Sequence, residues 1–310
     1  MAGERDGADE PEPDPLEGTV TWGELLTETA QRLSAAGRPN PSVEARWIVE
    51  ECTGLDGADL LLGLEEPATV RGVARLDALV GRRCDGEPIQ YVLGHWPFRA
   101  LDLLVDRRVL IPRPETEGVA GAALAALDEV ALGRPAGHRL LAVDLGTGSG
   151  AIGLAIASER PAADVWLSDA SADALAVARA NLAGLGRSGT QVRIVEGSWF
   201  AALPDELRGE IDLVVSNPPY IAVDEPLDAS VAEWEPVAAL VPGPTGLEAY
   251  EAIVADLDGW LAPGGAVVLE IGATQGSAVS ALLADAGLVD VEVRPDLAGL
   301  DRTVLARRPA

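Results

Sequence analysis

The second half of the chain alternates short apolar segments with segments of helical pattern, and this alternation limits the possible folds more than any other feature. From Arg139 onward, apolar runs of strand length are separated by stretches whose apolar residues recur at helical spacing. Such alternation is typical of right-handed crossovers in a largely parallel, doubly wound α/β sheet. The predicted strands are 140–144, 165–169, 192–196, 211–216 and 266–271, with closing strands at 289–293 and 303–306, and the predicted helices begin at 150 or cover 172–185, 247–261 and 276–286.

The first half of the chain has a different pattern. Residues 1–18 are rich in Asp, Glu, Pro and Gly, which predicts a disordered acidic tail. Residues 19–96 carry apolar residues at helical spacing, which predicts a small helical domain. Alternating apolar residues after Pro97 predict a hairpin linker over 97–112, so that the sheet domain covers 113–310.

Charge and cysteine content exclude several classes of function. The net charge is −27, from 50 acidic residues against 23 basic ones, all of them arginine. An acidic surface repels phosphate backbones, so we expect no nucleic-acid partner. No apolar run approaches the roughly 18 residues of a membrane span, so no membrane partner is expected either. Cys52 and Cys84 have no disulfide or zinc-site spacing, which favours a reducing, cytoplasmic setting.

A glycine-rich segment, VDLGTGSG at 143–150, follows the first predicted strand of the sheet. Glycines at that place allow a tight turn and a close approach to a nucleotide-type cofactor. The segment also fits a dinucleotide loop, and Asp169, at the end of the second strand, could hold ribose hydroxyls of either cofactor. Asp144 suits a cofactor with an amino group and a sulfonium, which describes S-adenosyl-L-methionine. The candidate cofactor residues are Asp144, Gly146, Thr147, Gly148, Ser149, Gly150 and Asp169.

A second motif, SNPPY at 216–220, follows the apolar strand 211–216. Pro218 and Pro219 stiffen the loop and restrict Asn217. The Asn217 side-chain oxygen and a proline carbonyl can accept both N–H bonds of a planar amide or amino group, and Tyr220 can stack on that group. Such an arrangement would localise the nitrogen lone pair for attack on a sulfonium methyl. This chemistry requires no general base, metal or covalent nucleophile, and we predict no metal site.

Two functions from other classes remain open at this point. A DNA adenine amino-methyltransferase could use the same motif, but the chain offers no basic domain to grip DNA and flip a base. A non-catalytic adaptor could keep the fold for binding proteins, although the intact Asn217 and glycine loop favour catalysis.

These motifs resemble the HemK/PrmC family of peptide chain release factor glutamine methyltransferases, and the resemblance runs from about Trp22 to the end of the sequence. It implies a Rossmann-like class I methyltransferase sheet, mostly parallel with an antiparallel strand near the C-terminus, and an N-terminal helical domain. The family-like stretches are EPIQYVLG at 87–94, LIPRPETE at 110–117, the loop at 144–150, SWF at 198–200, SNPPYI at 216–221, WEP at 234–236 and LAGLDR at 297–302.

The resemblance also implies residue roles and a reaction. The loop from Gly146 to Gly150 would hold the methionine part of the cofactor, Asp169 its ribose, and Trp199 would flank the adenine. The target amide would be bound by Asn217, Pro218, Pro219 and Tyr220, with Asn217, Pro218 and Tyr220 as the catalytic set and Asn217 also near the cofactor.

The implied reaction is methylation of the glutamine amide in the Gly-Gly-Gln loop of release factors. Related enzymes that methylate a ribosomal protein are the alternative. Ser198 stands where the family often has Asp, so a polar contact toward the adenine would be weakened or lost. We further predict that the helical domain recognises the release factor while the sheet domain performs the transfer.

Overall fold

A computed structural model describes residues 19–310, and the tail predicted at 1–18 lies outside the described residues. The chain divides into two compact units, one ending at Leu93 and the other covering Gly94–Ala310. The second unit therefore begins near the predicted start of the hairpin linker. None of the helices in the described part of the chain is long and apolar enough to cross a membrane.

The first unit is helical. Thr21 and Glu24 form a capping box at the start of its first helix, and the Thr69 hydroxyl accepts a hydrogen bond from the Gly72 N–H at the start of its fourth. Apolar faces of these helices meet in one core that includes Trp22, Ile48 and Val80. The helices are α1 (Trp22–Ala35), α2 (Pro41–Thr53), α3 (Gly57–Gly63), α4 (Val70–Cys84) and α5 (Ile89–Leu93).

A buried ion pair links α2 to α4 inside this unit. The Arg83 guanidinium donates two hydrogen bonds to the Glu44 carboxylate, at 2.7 and 2.9 Å, and a third to the Glu87 carbonyl. Both side chains are less than a tenth exposed. Because the charges are paired and hydrogen-bonded, burial does not leave either one uncompensated.

The second unit contains a two-stranded hairpin and a seven-stranded sheet of order β5-β4-β3-β6-β7-β9-β8. The pairs from β5 to β7 are parallel, and β9 pairs antiparallel with both β7 and β8. The predicted fold class is confirmed. The strands are β1 (His95–Phe98), β2 (Leu101–Leu104), β3 (Leu141–Leu145), β4 (Asp164–Asp169), β5 (Val192–Glu196), β6 (Ile211–Ser216), β7 (Leu261–Glu270), β8 (Val289–Pro295) and β9 (Asp301–Arg307).

Helices cover both faces of the sheet, as the apolar runs of the central strands require. One core lies between the sheet and the first two helices of this unit, and a second core lies between the opposite face and the last two. The helices are α6 (Pro114–Leu132), α7 (Ala151–Glu159), α8 (Ala172–Gly184), α9 (Ala229–Trp234), α10 (Glu248–Trp260) and α11 (Gly276–Asp285).

Some element boundaries differ from the predicted ones. The strand predicted from Ala266 begins at Leu261, because Leu261 already pairs with Ile211. The Pro-Gly-Gly segment is an irregularity inside this strand, where the register shifts before Leu213 pairs with Ala266. The predicted hairpin begins at His95, two residues before Pro97, and pairs His95–Phe98 with Leu101–Leu104. His95 is the first residue of its first strand.

Candidate active site

The glycine-rich segment forms the turn between β3 and α7, at the carboxyl edge of the sheet. Gly150 has a φ of 88°, and a Cβ built there would lie 2.8 Å from Leu154, so both backbone and space require glycine. The N–H groups of Gly146 and Thr147 donate to the Ser168 carbonyl at 2.8 and 2.9 Å. The turn is therefore held against the end of β4.

Asp144 lies beneath this turn and is only 1% exposed. Its Oδ2 accepts hydrogen bonds from the Thr147 hydroxyl at 2.6 Å and the Gly153 N–H at 2.9 Å. Burial raises the pKa of the Asp144 carboxyl to about 6, and the two hydrogen bonds oppose that rise. Asp144 therefore stabilises the turn through these two hydrogen bonds. Its predicted contact with a cofactor stays a prediction.

Asp169 stands at the end of β4, next to the same turn. Its Oδ2 accepts the Gly148 N–H at 2.9 Å, and its Oδ1 accepts the Ser171 N–H at 2.8 Å. Each carboxylate oxygen retains a further lone pair. Trp199 is the first residue of a short helical turn after β5. One of its ring carbons would lie 3.3 Å from a Cβ built on Gly146, so the ring lies next to the glycine turn.

The Asn-Pro-Pro-Tyr segment follows β6, a strand that is buried along its whole length. The Ser216 hydroxyl donates to the Leu145 carbonyl at 2.6 Å, which ties the end of β6 to the start of the glycine turn. The side-chain nitrogen of Asn217 donates to the Thr116 hydroxyl at 3.4 Å, and its Oδ1 accepts no hydrogen bond from the described residues. The two predicted motifs therefore lie on adjacent strands at one edge of the sheet.

Tyr220 is held from two directions. The Gln275 side-chain amide donates to the Tyr220 carbonyl at 2.9 Å, and Arg302 lies 3.5 Å from the Tyr220 hydroxyl. Burial, followed by the nearby Glu270 carboxylate, raises the pKa of the Tyr220 hydroxyl. The phenol therefore stays neutral at neutral pH.

A cavity of about 230 Å³ opens beside this motif. Asn217 and Tyr220 line one part of it, and Arg113 and Glu270 supply charged groups. The remaining lining is mostly apolar: Leu110, Ile221, Pro226, Leu227, Val231, Ala239 and Leu240, with Asp228. A mostly apolar cavity with a few convergent polar groups is typical of a site for a small group.

The wall of this cavity is fixed by a buried carboxylate. Glu235 is 5% exposed, and it accepts hydrogen bonds from the Ile111 N–H at 3.1 Å and from the Arg113 guanidinium. The Arg107 guanidinium stacks on Trp234, 3.9 Å from the ring centroid. These contacts join segment 107–113 to the stretch that follows α9.

Sequence reasoning missed three residues of this site: Thr116, Glu270 and Arg302. Thr116 and Glu270 are buried polar residues, at 3% and 1% exposure, and Arg302 approaches the Tyr220 hydroxyl. The available signal for Glu270 was an acidic residue at the end of an apolar strand, the same signal that identified Asp169. Within residues 19–310, no group of His, Cys, Asp and Glu has a metal-binding arrangement.

The sheet order, with its antiparallel β9, and a glycine turn between β3 and α7 define a class I methyltransferase. The family description "PrmC N-terminal domain" matches residues 24–94, and "Methyltransferase small domain" matches residues 131–233. The catalytic domain of hMettl16, solved with an RNA hairpin, has a similar fold, with a TM-score of 0.50 at 14% identity over 79% of this chain and 84% of that one.

Relatives named as release factor glutamine methyltransferases match almost the whole sequence. One from Cereibacter sphaeroides is 42% identical over 93% of this chain and 98% of its own length. Another from Agrobacterium fabrum is 40% identical over 94% of this chain and 99% of its own length. The chain belongs to the release factor glutamine methyltransferase family.

Proposed function

We propose that this protein transfers a methyl group from S-adenosyl-L-methionine to the side-chain amide nitrogen of a glutamine in a peptide chain release factor. The observation that carries the proposal is the placement of Asn217 beside the glycine turn, with its Nδ2 occupied by Thr116 and its Oδ1 left to accept a hydrogen bond. Family membership and the names of the relatives support the same target.

The glycine turn suits the proposed cofactor. A Cβ built on Gly148 would meet nothing within 4 Å, so a ligand can approach the backbone there. The Trp199 ring beside Gly146 offers an aromatic face for the adenine, and Asp169 has lone pairs for ribose hydroxyls. When bound, S-adenosyl-L-methionine supplies a methyl group on a positively charged sulfur.

Asn217 and the two prolines orient the target amide. An amide nitrogen is a poor nucleophile because its lone pair is delocalised into the carbonyl. The Asn217 Oδ1 and the Pro218 carbonyl would accept its two N–H bonds, while Tyr220 would stack on its plane. These contacts orient the nitrogen lone pair and stabilise the positive charge that develops on it. Pro219 keeps the loop rigid.

We also propose that the helical unit, predicted as residues 19–96, contributes to recognition of the release factor. Two consecutive residues of α3, Leu61 and Leu62, are 64% and 79% exposed. Exposed neighbouring leucines are typical of surfaces that contact another protein.

Transfer of labelled methyl to purified release factor tests the proposed reaction. We expect label on the intact factor and none on a factor whose loop glutamine is replaced, nor on duplex DNA. Asn217→Ala should lower kcat by about 100-fold or more, as loss of one preorganised polar contact to a developing charge does. Asn40→Ala is a matched control, because Asn40 is exposed and makes no capping hydrogen bond with its side chain.

The other outcomes separate the rival functions. Label on DNA would identify an amino-methyltransferase of nucleic acid. Label on a ribosomal protein but not on the release factor would identify the alternative target within the same chemistry. Unchanged transfer by Asn217→Ala would remove Asn217 from the mechanism.

A further inference from the structure

Glu270 ends β7, the strand next to β6 in the sheet. Ser216 pairs with Leu269, so the following residues, Asn217 and Glu270, lie side by side at the carboxyl edge of β6 and β7, where Glu270 is still paired with Thr303 of β9. Both line the cavity of about 230 Å³. The carboxyl group is therefore part of the space that the target amide would occupy.

This carboxyl group is buried, and its two oxygens lie at the wall of the cavity. Glu270 is 1% exposed, and neither side-chain oxygen has a hydrogen-bond partner with regular geometry among the described residues. Burying an unpartnered polar group costs free energy, and nearly all buried polar atoms in proteins are hydrogen-bonded. A carboxyl group left open at the wall of a cavity is thus a candidate for a functional role.

The surrounding groups do not neutralise it. The Thr116 hydroxyl on α6 accepts from Asn217 and can donate its own proton toward the Glu270 carboxyl group, which favours the charged form. Arg302 on β9 also favours that form, yet its ion pair is with Asp296, at 3.5 Å. The other charged groups that affect it are Glu115, which raises its pKa, and Arg113, which lowers it.

Two phenols also face this region. The Tyr250 hydroxyl donates to the Glu270 backbone carbonyl at 2.9 Å, and Tyr220 lies beside the carboxyl group in the cavity wall. Burial dominates all of these effects and raises the pKa of the Glu270 carboxyl to about 7. The group can therefore exchange a proton near neutral pH.

We propose that Glu270 is the base that takes the proton released by the target amide nitrogen. This inference rests on the proposed function. In the transfer, the nitrogen electron pair forms the new N–C bond, and the pair of the broken C–S bond stays on sulfur. The nitrogen then carries the methyl group and two hydrogens with a positive charge, and the proton on the side of Asn217 moves to the neighbouring Glu270 oxygen, while the other stays hydrogen-bonded to the Pro218 carbonyl. The protonated carboxyl group returns its proton to water when the products leave.

A base at this position differs from the expectation drawn from the sequence, which required none. In a mostly apolar cavity, a carboxyl group in the wall is placed to accept the proton directly from the nitrogen. General bases contribute about 10²–10⁴-fold to a rate and work best with a pKa near the operating pH.

The test is the pH profile of kcat/KM for methyl transfer to release factor by the full chain, compared between wild type and Glu270→Gln. We expect the wild-type value to rise with pH and level off above about 7, since the carboxylate is the active form. Glu270→Gln should lose this rise and about 100-fold in kcat. Glu270→Asp should keep the rise at a lower plateau, because it retains a carboxyl group.

Two further measurements separate this role from a structural one. The first is the infrared difference spectrum between wild type and Glu270→Gln, both without cofactor. The carbonyl band of the protonated Glu270 carboxyl group should be present in this spectrum at low pH and should disappear as pH rises through about 7. Binding of S-adenosylhomocysteine, followed calorimetrically, should be within a few-fold of wild type in all variants. Glu292→Gln, which removes the same charge from an exposed site, is the matched control and should leave the profile unchanged.

Three results would overturn the inference. If wild type and Glu270→Gln had the same pH profile and rates within about threefold of each other, the proposed function would stand but Glu270 would not be its base. A rate that falls as pH rises through 7 would assign an acid in place of a base. Absence of methyl transfer to release factor by the wild type would refute the proposed function, and the base role with it.

Discussion

At the scale of single residues, the orientation of one side-chain amide decides what the site can bind. Asn217 has a donor end and an acceptor end, and only the acceptor end suits an incoming N–H group. Thr116, 101 positions earlier in the chain, occupies the donor end at 3.4 Å. Thr116 thus acts as a positioning residue for Asn217.

Thr116→Val removes this anchor while keeping the shape of the side chain. We expect kcat for methyl transfer to fall about 5- to 10-fold, which corresponds to the net free energy of about 1 kcal/mol for one hydrogen bond. The dissociation constant of S-adenosylhomocysteine should not change. Thr116→Ser restores the hydroxyl and should recover most of the activity, and equal losses in both variants would contradict the anchoring role.

The residues that sequence reasoning identified share a local signal. Asp169 is the last residue of a strand and Asn217 directly follows another, and parallel strands bring such positions to one edge. Thr116 lies near the start of a helix, where no local pattern connects it with Asn217. Glu270 carries the same local signal as Asp169, an acidic residue at the end of an apolar strand, but only the pairing of β6 with β7 shows that it lies beside Asn217.

At the scale of elements, the Asn-Pro-Pro-Tyr loop depends on the chain segment behind it. The Ile221 N–H donates to the Leu240 carbonyl, and Ala222 forms a bridge with Gly243. Further along this segment, a Cβ built on Gly246 would lie 2.5 Å from the Tyr220 carbonyl oxygen. Contact between two backbones leaves no room for a side chain there.

Gly246→Ala should therefore displace the loop. Gly264→Ala is a matched control, since the two glycines have φ of 76° and 72°, but a Cβ on Gly264 would meet nothing within 4 Å. Because alanine is strained in a left-handed backbone conformation, the free energy of unfolding of both variants should fall by about 1–2 kcal/mol. Only Gly246→Ala should also lose at least about tenfold in kcat/KM, and similar activity losses in both would show that strain alone is responsible.

Periodicity predicts most of the elements of the sheet and their order, but it did not predict α6, and the ends of the elements depend on pairing. The helix predicted at 247–261 is observed as Glu248–Trp260, because apolar residues at helical spacing define it locally. The start of β7 could not be found in this way. Pro263, Gly264 and Gly265 have the composition of a turn, and Gly264 has a φ of 72°. Gly264 and Gly265 nevertheless exchange hydrogen bonds with Arg308, and this long-range pairing places the segment inside β7 as an irregularity.

At the scale of the whole molecule, catalysis and target recognition are predicted to reside in different units. Replacing both Leu61 and Leu62 with Ser should raise KM for the release factor several-fold, because apolar contact area is lost, and should leave kcat and cofactor affinity nearly unchanged. Leu132→Ser is the control, since Leu132 is 87% exposed at the end of α6 in the other unit. If Leu132→Ser raised KM as much, the helical unit would have no special part in recognition.

The position of β9 between β7 and β8 has a consequence for the order of folding. β8 is synthesised before β9, but among the described strands β9 is its only neighbour in the sheet, so β8 cannot join the sheet first. The two strands are separated only by residues 296–300, and closing so short a connection costs little chain entropy. Until this hairpin docks, the edge of β7 is an unpaired row of backbone donors and acceptors, which is a template for association with another chain.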